Sequence, residues 1–383
     1  MKLERNATPG RPAVAQGAWA MAAVLATMWI ALAVLPATGG RFLTQGNLAS
    51  LLSQSAVLLV VSVGMTLAIL IRGIDLSVGA GVALTGVVAG MLHVKMGLPA
   101  PVAMLAAIAV GALIGAWHGY WVAWLGVPAF IVTLAGFKAY RGGGLVLSHA
   151  TSITLGDDFA WITRPIAPAM TWGLVLALLG IGVAMTLREA TRRRELALEP
   201  LATKTIALRL GGNGMVAGFV LYVYGQTGMP MLVVIAAAVA LAGIFVTRRT
   251  RFGRHLYAIG GNPEAARLSG IDVKRTTLYV YVILGVLTAI AGILAAARTN
   301  SVTPGNQGNL LELDAVTAVV LGGTSLTGGR GSVVGTVLGT LVFSTLSNGM
   351  NLLGIDSNWQ WICTGNMLLA AALIDVLSKG KRS

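Results

Sequence analysis

RFGRHLYAIGGNPEAARLSGIDV, residues 251–273, is the one long polar stretch with internal order in an otherwise apolar chain. Gly260-Gly261 reads as a turn. Asn262 follows as an N-cap whose side-chain oxygen accepts from a first-turn N–H, Pro263 suits the first helical position, and Glu264 complements the positive end of the helix dipole. Ala265, Ala266, Arg267 and Leu268 continue the helix, and Ser269-Gly270 ends it. Arg248, Arg249, Arg251 and Arg254 flank this short helix on one side, Lys274 and Arg275 on the other. Apolar segments lie directly before and after. Residue chemistry alone leaves two readings open: a basic loop that satisfies its own ends and sets topology, or a preformed rigid surface for a soluble partner.

Working outward, the composition is that of a membrane protein. Of 383 residues, 56% are hydrophobic and only 10% charged, with a mean hydropathy of +0.81; a globular domain carries about 25% charged residues. The expected fold is an all-α polytopic integral membrane protein. A net charge of +14 could point to nucleic acid, but the basic residues sit in short loops between apolar spans, so topology explains them better and no nucleic-acid partner is expected. The single cysteine, Cys363, leaves no intrachain disulfide or cysteine-based metal site, and the four histidines (93, 118, 149 and 255) show no ligand spacing. No metal and no cofactor are expected.

About twelve spans follow from hydropathy, near 19–35, 48–71, 76–93, 100–124, 128–147, 168–187, 205–225, 229–247, 276–297, 312–328, 332–353 and 358–377. Each approaches the roughly 20 residues a helix needs to cross the hydrocarbon core, although 76–93 and 312–328 are short. Strict alternation then puts 21 of the 27 Lys and Arg residues on one side and six on the other. The rich side is cytoplasmic. The expected organisation is a cytoplasmic tail at 1–18, a transmembrane domain at 19–377 and a cytoplasmic tail at 378–383, with both termini inside. The basic loop at 248–275 is then cytoplasmic. A cleaved signal peptide ending near Leu35-Pro36-Ala37 is the alternative for the first segment, but its apolar run is long for that role.

Polar residues at membrane depth are few. In IRGIDLSVG, residues 71–79, Asp75 can cap the following helix with Arg72 in reach to pair with it, or Gly73 and Gly79 can let the chain break beside a polar path that Asp75 and Ser77 would line. Thr133, Asn348 and Asn351 suit either interhelical hydrogen bonds or such a path. Glu312 and Asp314 open a span at the outer face, as dipole partners or as contacts for a partner outside the cell. Lys138 and Arg141 are expected to reach toward headgroups. The run GGTSLTGGRGS, residues 322–332, lacks the Lys-Ser/Thr ending of a phosphate loop and has no preceding strand. It reads as a glycine-rich break between packed helices, so any nucleotide hydrolysis belongs to another chain.

The stretch R-F-G-R-x-x-Y-A-I-G-G-N-x-E-A-A-R-L-S-G-I, together with G-I-D-L-S-V-G and G-G-T-S-L-x-G-G, resembles the permease subunits of ribose/xylose-type sugar ABC importers, with the xylose type most similar. The resemblance covers about 40–378 and implies a core of two inverted repeats, spans 2–5 being related to the last four, with 168–226 as a two-helix insertion. It also implies partners: a cytoplasmic ABC ATPase as separate subunits or a fused dimer, a periplasmic sugar-binding protein, and a second permease copy in a bacterial inner membrane. By the same resemblance the ATPase-coupling helix is carried by Asn262, Glu264, Ala265, Ala266, Arg267, Leu268, Ser269 and Gly270, and the cargo is a monosaccharide such as xylose. No chemistry is performed on the sugar. An ion-coupled transporter would need ionisable residues inside its spans and a membrane enzyme a nucleophile or metal set. A passive channel would leave the structured basic loop without a purpose. Branched-chain amino acid import through a related permease is the nearest alternative.

Overall fold

The computed structural model describes residues 11–380, with the side chains of 20–377. The ends of the two expected tails, 1–10 and 381–383, lie outside the described residues. Fourteen α-helices make up nearly all of the rest: α1 (Arg11–Val34), α2 (Gln45–Leu70), α3 (Val78–Gly90, extended by a π-helical turn, Met91–Lys95), α4 (Ala100–Ala123), α5 (Ala129–Leu147), α6 (Pro168–Glu195), α7 (Thr203–Tyr224), α8 (Met231–Arg249), α9 (Arg251–Gly261), α10 (Pro263–Leu268), α11 (Val273–Thr299), α12 (Leu311–Leu321), α13 (Val333–Leu352) and α14 (Ser357–Gly380). Two short strands, β1 (Ile153–Thr154) and β2 (Ser301–Val302), pair antiparallel.

Each of the twelve expected spans is a helix. Among the described residues, nine are long and apolar enough to cross a membrane on their own: α2, α3 with its π turn, α4, α6, α7, α8, α11, α13 and α14. The described apolar part of α1 is Ala20–Val34, and α5 carries Lys138 and Arg141 within its length. The segment expected to span at 312–328 differs more. Its helix, α12, stops after 11 residues, about 16 Å at 1.5 Å per residue, or roughly half the hydrocarbon core. The glycine-rich run that follows is non-helical. Backbone of that kind is tolerated at membrane depth only where protein covers it, and here α13, α2 and α9 do so.

The core is built on α2, buried along most of its length and packed against α8, α11, α12 and α13. Its neighbour α11 makes its most extensive contact with α4. The reason lies in the spacing of Gly111, Gly115 and Gly119, which puts three glycines on one face of α4, four residues apart. They let its backbone approach Tyr281, Gly285 and Leu278 of α11 closely enough that a Cβ at Gly115 would stand 2.1 Å from the Tyr281 carbonyl oxygen. With lipid as apolar as any side chain, such close packing is a main source of helix association. At the periphery α6 and α7 form an antiparallel hairpin over 168–224, tied at one end by Arg209 and Glu189 at 2.8 Å and resting on α2 through a small cluster around Leu48, Val175 and Tyr224. Their outer faces, like those of α4 and α14, present large apolar side chains.

Contacts between distant loops test the alternation independently of charge. Segments assigned to one side meet there: β1 with β2, Pro165 with Pro230, and Arg141 with the carbonyls of Pro304 and Gln307. Segments assigned to the basic side meet at the opposite end, where Leu70, Arg72, Gly260, Gly261 and Gly329 converge. Both networks are consistent with twelve alternations.

A leucine at Gly115 has no space. Gly115→Leu is expected to lower the melting temperature in detergent by about 10 °C or more, since overpacking costs about 1–3 kcal/mol or more even where the backbone can shift. Gly211→Ala on α7, where an added methyl meets nothing within 4 Å, serves as control and should match or exceed the wild type in a fluorescence thermal-shift series.

Candidate coupling surface and transmembrane cavity

The polar stretch that opened the sequence folds into two helices that share one residue. Thr250 caps α9 by accepting from Gly253 N at 3.1 Å. The α9 helix runs through Gly260 and Gly261, so the expected turn there is absent; the chain turns at Asn262, whose extended backbone (φ −153°, ψ 104°) ends α9 and starts α10. The Asn262 side-chain oxygen accepts from the N–H groups of Glu264 and Ala265, each at 3.0 Å. Ser269 Oγ donates to Ala265 O, and Gly270 leaves the helix at φ +82°, a conformation suited to glycine. One face of α10 is anchored by buried Ala266, while Leu268 is 78% exposed. Beside it Arg267 donates to both oxygens of Glu264, at 2.6 and 3.2 Å. The guanidinium holds the Glu264 carboxyl below its usual range, so the pair persists at neutral pH and is lost only as acidification passes through that lowered value. The result is a short, preformed helix with an exposed leucine between exposed charges.

This helix is connected to the membrane core through α9. Arg72 does not pair with Asp75. Its φ of 67° turns the chain away, and its guanidinium donates from Nε to Gly260 O at 2.8 Å and from Nη2 to Gly261 O at 2.7 Å. Those are the unpaired carbonyls at the negative end of α9, where a cation is favoured. Gly329 N donates to Leu70 O at 2.9 Å, and Tyr257 Oη donates to Gly331 O at 3.0 Å. A Cβ on Gly260 would lie 1.8 Å from Leu70 O and 2.3 Å from Gly329 N. Three segments thus meet backbone to backbone: the end of α2, the end of α9 and the glycine-rich run between α12 and α13.

The opposite halves of the same helices line a cavity of about 440 Å³ on the side where β1 and β2 lie. Gln54, Val57 and Leu58 of α2, Arg298 of α11, Asp314 of α12, and Phe343, Ser344 and Ser347 of α13 form its walls, with the 299–309 segment as rim. Arg141 holds that rim in place by donating to Pro304 O and Gln307 O at 2.9 and 2.8 Å, so it points inward and is not a headgroup ligand.

Asp314 lines the cavity, whereas Glu312 is buried against Gly79 and Gly308 and is not presented to a partner. Asp75, Ser77 and Thr133 stand away from the cavity in a buried polar knot. Asp75 accepts from Ser77 N and Oγ at 2.8 and 2.6 Å; His118 Nδ1 lies 3.3 Å from its other oxygen, and Tyr140 Oη lies 2.8 Å from His118 Nε2. Thr133 Oγ1 donates to Ile74 O at 3.3 Å. The knot ties α3, α4 and α5 together, and nothing in the spacing of His118 announced it. Asn348 exchanges two amide hydrogen bonds with Asn47 of α2, and exposed Asn351 accepts from Gln360. None of these five lines the cavity. Among the described residues no cluster of three or more His, Cys, Asp or Glu could hold a metal ion.

Residues 47–372 match the family described as branched-chain amino acid transport system / permease component. The chain belongs to that permease family. Among its relatives is the xylose transport system permease protein of Escherichia coli (strain K12), 40% identical over 346 residues that cover 89% of this chain and 88% of the relative. The corresponding protein of Haemophilus influenzae is 39% identical over 369 residues, 92% of this chain and 96% of its own. The ribose import permease protein of Escherichia coli (strain K12) is 37% identical over 356 residues, 92% of each. No solved structure matches.

Removing the fork at Arg72 should release α9 and α10 without unfolding the core. In Arg72→Ala, amide exchange over 251–270 is expected to accelerate by about tenfold or more, the usual sign of local opening, while α4 and α11 stay protected. Hydrogen exchange read by mass spectrometry checks it, and unchanged protection at 251–270 would show that the junction does not hold the surface in place.

Proposed function

We propose that this permease is the membrane subunit of an ATP-binding cassette importer that carries a monosaccharide, D-xylose in the first instance, into a bacterial cell across the inner membrane. One observation carries the reading: the exposed α10 helix is joined through α9 to the very helices, α2, α12 and α13, that wall the cavity. A force applied to α10 by a soluble partner reaches the end of α2 and the glycine-rich run at once. The partner is a cytoplasmic ATPase, since the chain has no phosphate loop of its own, and the coupling set is Asn262, Glu264, Ala265, Ala266, Arg267, Leu268, Ser269 and Gly270. Leu268 would seat in the partner while Glu264 and Arg267 set its orientation.

The positive-inside rule puts α9, α10 and both termini in the cytoplasm and the cavity mouth outside. On that assignment the cavity is outward-facing, ready for a sugar released by a periplasmic binding protein. A second permease copy completes the assembly. The choice of xylose is supported by the relatives at 39–40% identity, whose names specify it. ATP-driven closure of the ATPase pair would bias the permease between outward and inward access, as any ligand with different affinity for two states does.

The decisive measurement is ATP hydrolysis in proteoliposomes holding this chain and its ATPase, with binding proteins loaded with xylose, ribose or leucine. Stimulation by xylose-loaded protein alone supports the whole reading. Stimulation by the leucine-loaded protein would move the chain to amino acid import, which the family description also covers. No association with an ATPase would remove the coupling claim. Within that system Arg267→Glu is expected to lower uptake at least tenfold at unchanged membrane level. The charge swap Glu264→Arg with Arg267→Glu restores the pair within α10, and an exposed pair contributes little to stability. It should remain inactive if the partner reads the charges; recovered uptake would limit them to holding the helix.

A further inference from the structure

Lys138 is the tenth of the 19 residues of α5. At 1.5 Å per residue, about 14 Å of helix separates it from either end. That is more than the stem of a lysine covers, so the headgroup contact expected from the sequence is out of reach. Contacts on both sides of Lys138 fix its level. Thr133 donates to Ile74 O on the side of the Arg72 junction, and Arg141 donates to the cavity rim at Pro304 and Gln307.

The two faces of α5 differ. Val132, Thr133, Gly136 and Gly144 are buried where the helix packs on α3 and α4. Phe130, Leu134, Lys138, Gly142 and Val146, four residues apart, form an exposed stripe on the other side. Among the described residues the Lys138 ammonium has no hydrogen-bond or ion-pair partner. Other ionisable groups of the interior are held in place. Asp75 is bound by Ser77 and His118, Arg141 by the rim carbonyls, and Glu312 is buried against Gly79 and Gly308.

Three surroundings could meet this stripe, and two of them fail. Lipid fails because a lone charge in the middle of the hydrocarbon core is costly, and such residues face a protein interior or a water-filled space. A dry protein interface fails because the ammonium would need a carboxylate at the same depth. The exposed carboxylates of this chain, among them Asp157, Asp158, Glu264 and Asp356, lie in the segments between spans. A second copy therefore has none to offer there, and only water remains.

We propose that Lys138 stands in an aqueous passage between two copies of this permease and acts as its barrier to cations. This rests on the importer reading above, which supplies the second copy and a polar cargo. In a twofold pair both Lys138 side chains border the same space. They cannot pair with each other, so water keeps them apart. A passage that admits a monosaccharide is also wide enough for sodium and hydronium ions, and the membrane potential drives both inward. Fixed positive charge at its middle repels them and leaves a neutral polyol unopposed. A compact, strongly hydrated ammonium on a flexible stem suits that task, since it can stay in water while the sugar passes.

The test uses Lys138→Cys in a Cys363→Ser background, reconstituted with the ATPase and xylose-loaded binding protein in vesicles under a membrane potential. Sodium entry during ATP hydrolysis, read by a sodium-sensitive dye, should exceed that of Cys363→Ser alone by about tenfold or more. A methanethiosulfonate carrying an ammonium rebuilds a lysine-like side chain. It should return entry to within about twofold of that control, whereas a reagent carrying a sulfonate should not. Resealing also shows that the variant is assembled. Equal sealing by both reagents would make the position a matter of bulk and overturn the barrier. Failure of the membrane-impermeant sulfonate reagent to reach the introduced thiol would show that the stripe is not in water, which overturns the passage. Lys138→Arg should stay tight, and Lys138→Met should leak as the thiol variant does. A Cys363→Ser protein in which loaded binding protein stimulates neither hydrolysis nor uptake would refute the importer reading itself. One that imports xylose while neither Lys138→Cys nor Lys138→Met admits sodium would refute the barrier alone.

Discussion

The backbone contact between Gly260, Leu70 and Gly329 is the constraint on which the remainder depends. It brings the C-terminal end of an amphipathic surface helix against the end of the most buried helix in the protein. No residue with a Cβ fits at Gly260, because its place is taken by Leu70 O and Gly329 N. Arg72 then places its positive charge on the carbonyls that α9 leaves unpaired. That contact satisfies the helix end and also fixes the direction in which α9 leaves the membrane. Through Asn262 it fixes α10 as well, since one residue closes the first helix and opens the second.

A consequence is that the chain has no flexible linker between its exposed helix and its core. Long-range coupling in a protein requires elements with two discrete arrangements, not a soft connection. Here α12 is half a span long, and the glycine-rich run that follows it has no helical hydrogen bonds to lose. This run touches α2 through Gly329 and α9 through Tyr257, and Ser325 and Leu326 donate to Asp375 of α14. Its backbone can rearrange without breaking a helix. Its position between α12 and α13 joins two walls of the cavity to the end of α2.

Much of this was legible in the residues and some was not, for physical reasons. Helix α10 was readable because its determinants are local: Asn262, Pro263, Glu264 and Gly270 each act within one turn. Span positions were readable because lipid demands a contiguous apolar run. The Arg72 assignment failed because proximity in sequence suggested Asp75, whereas a left-handed residue sends the side chain to a helix end 188 positions away. Asp75 in turn finds its partner on α4, and the His118–Tyr140 knot involves three helices whose packing no spacing rule reports. The glycines at 111, 115 and 119 were visible as composition but not as an interface, since only the partner helix shows which face they serve. Arg141 lies near a span end, where sequence alone points to headgroups; the loop that captures it comes 163 to 166 residues later.

The same distinction bears on the polar residues of the membrane interior. Asp75, Thr133 and Asn348 drew attention as the most polar residues at depth, and each is fully engaged by neighbours. A group that is satisfied holds helices together; one that carries a cargo has to be free to bind it and release it. By that criterion Asp75, Thr133 and Asn348 are structural, and the cavity lining at Gln54, Ser344 and Ser347 is where a cargo would find free polar groups. Polar groups already tied to neighbours cannot exchange those bonds with a ligand at no cost, so depth and polarity alone do not mark a path.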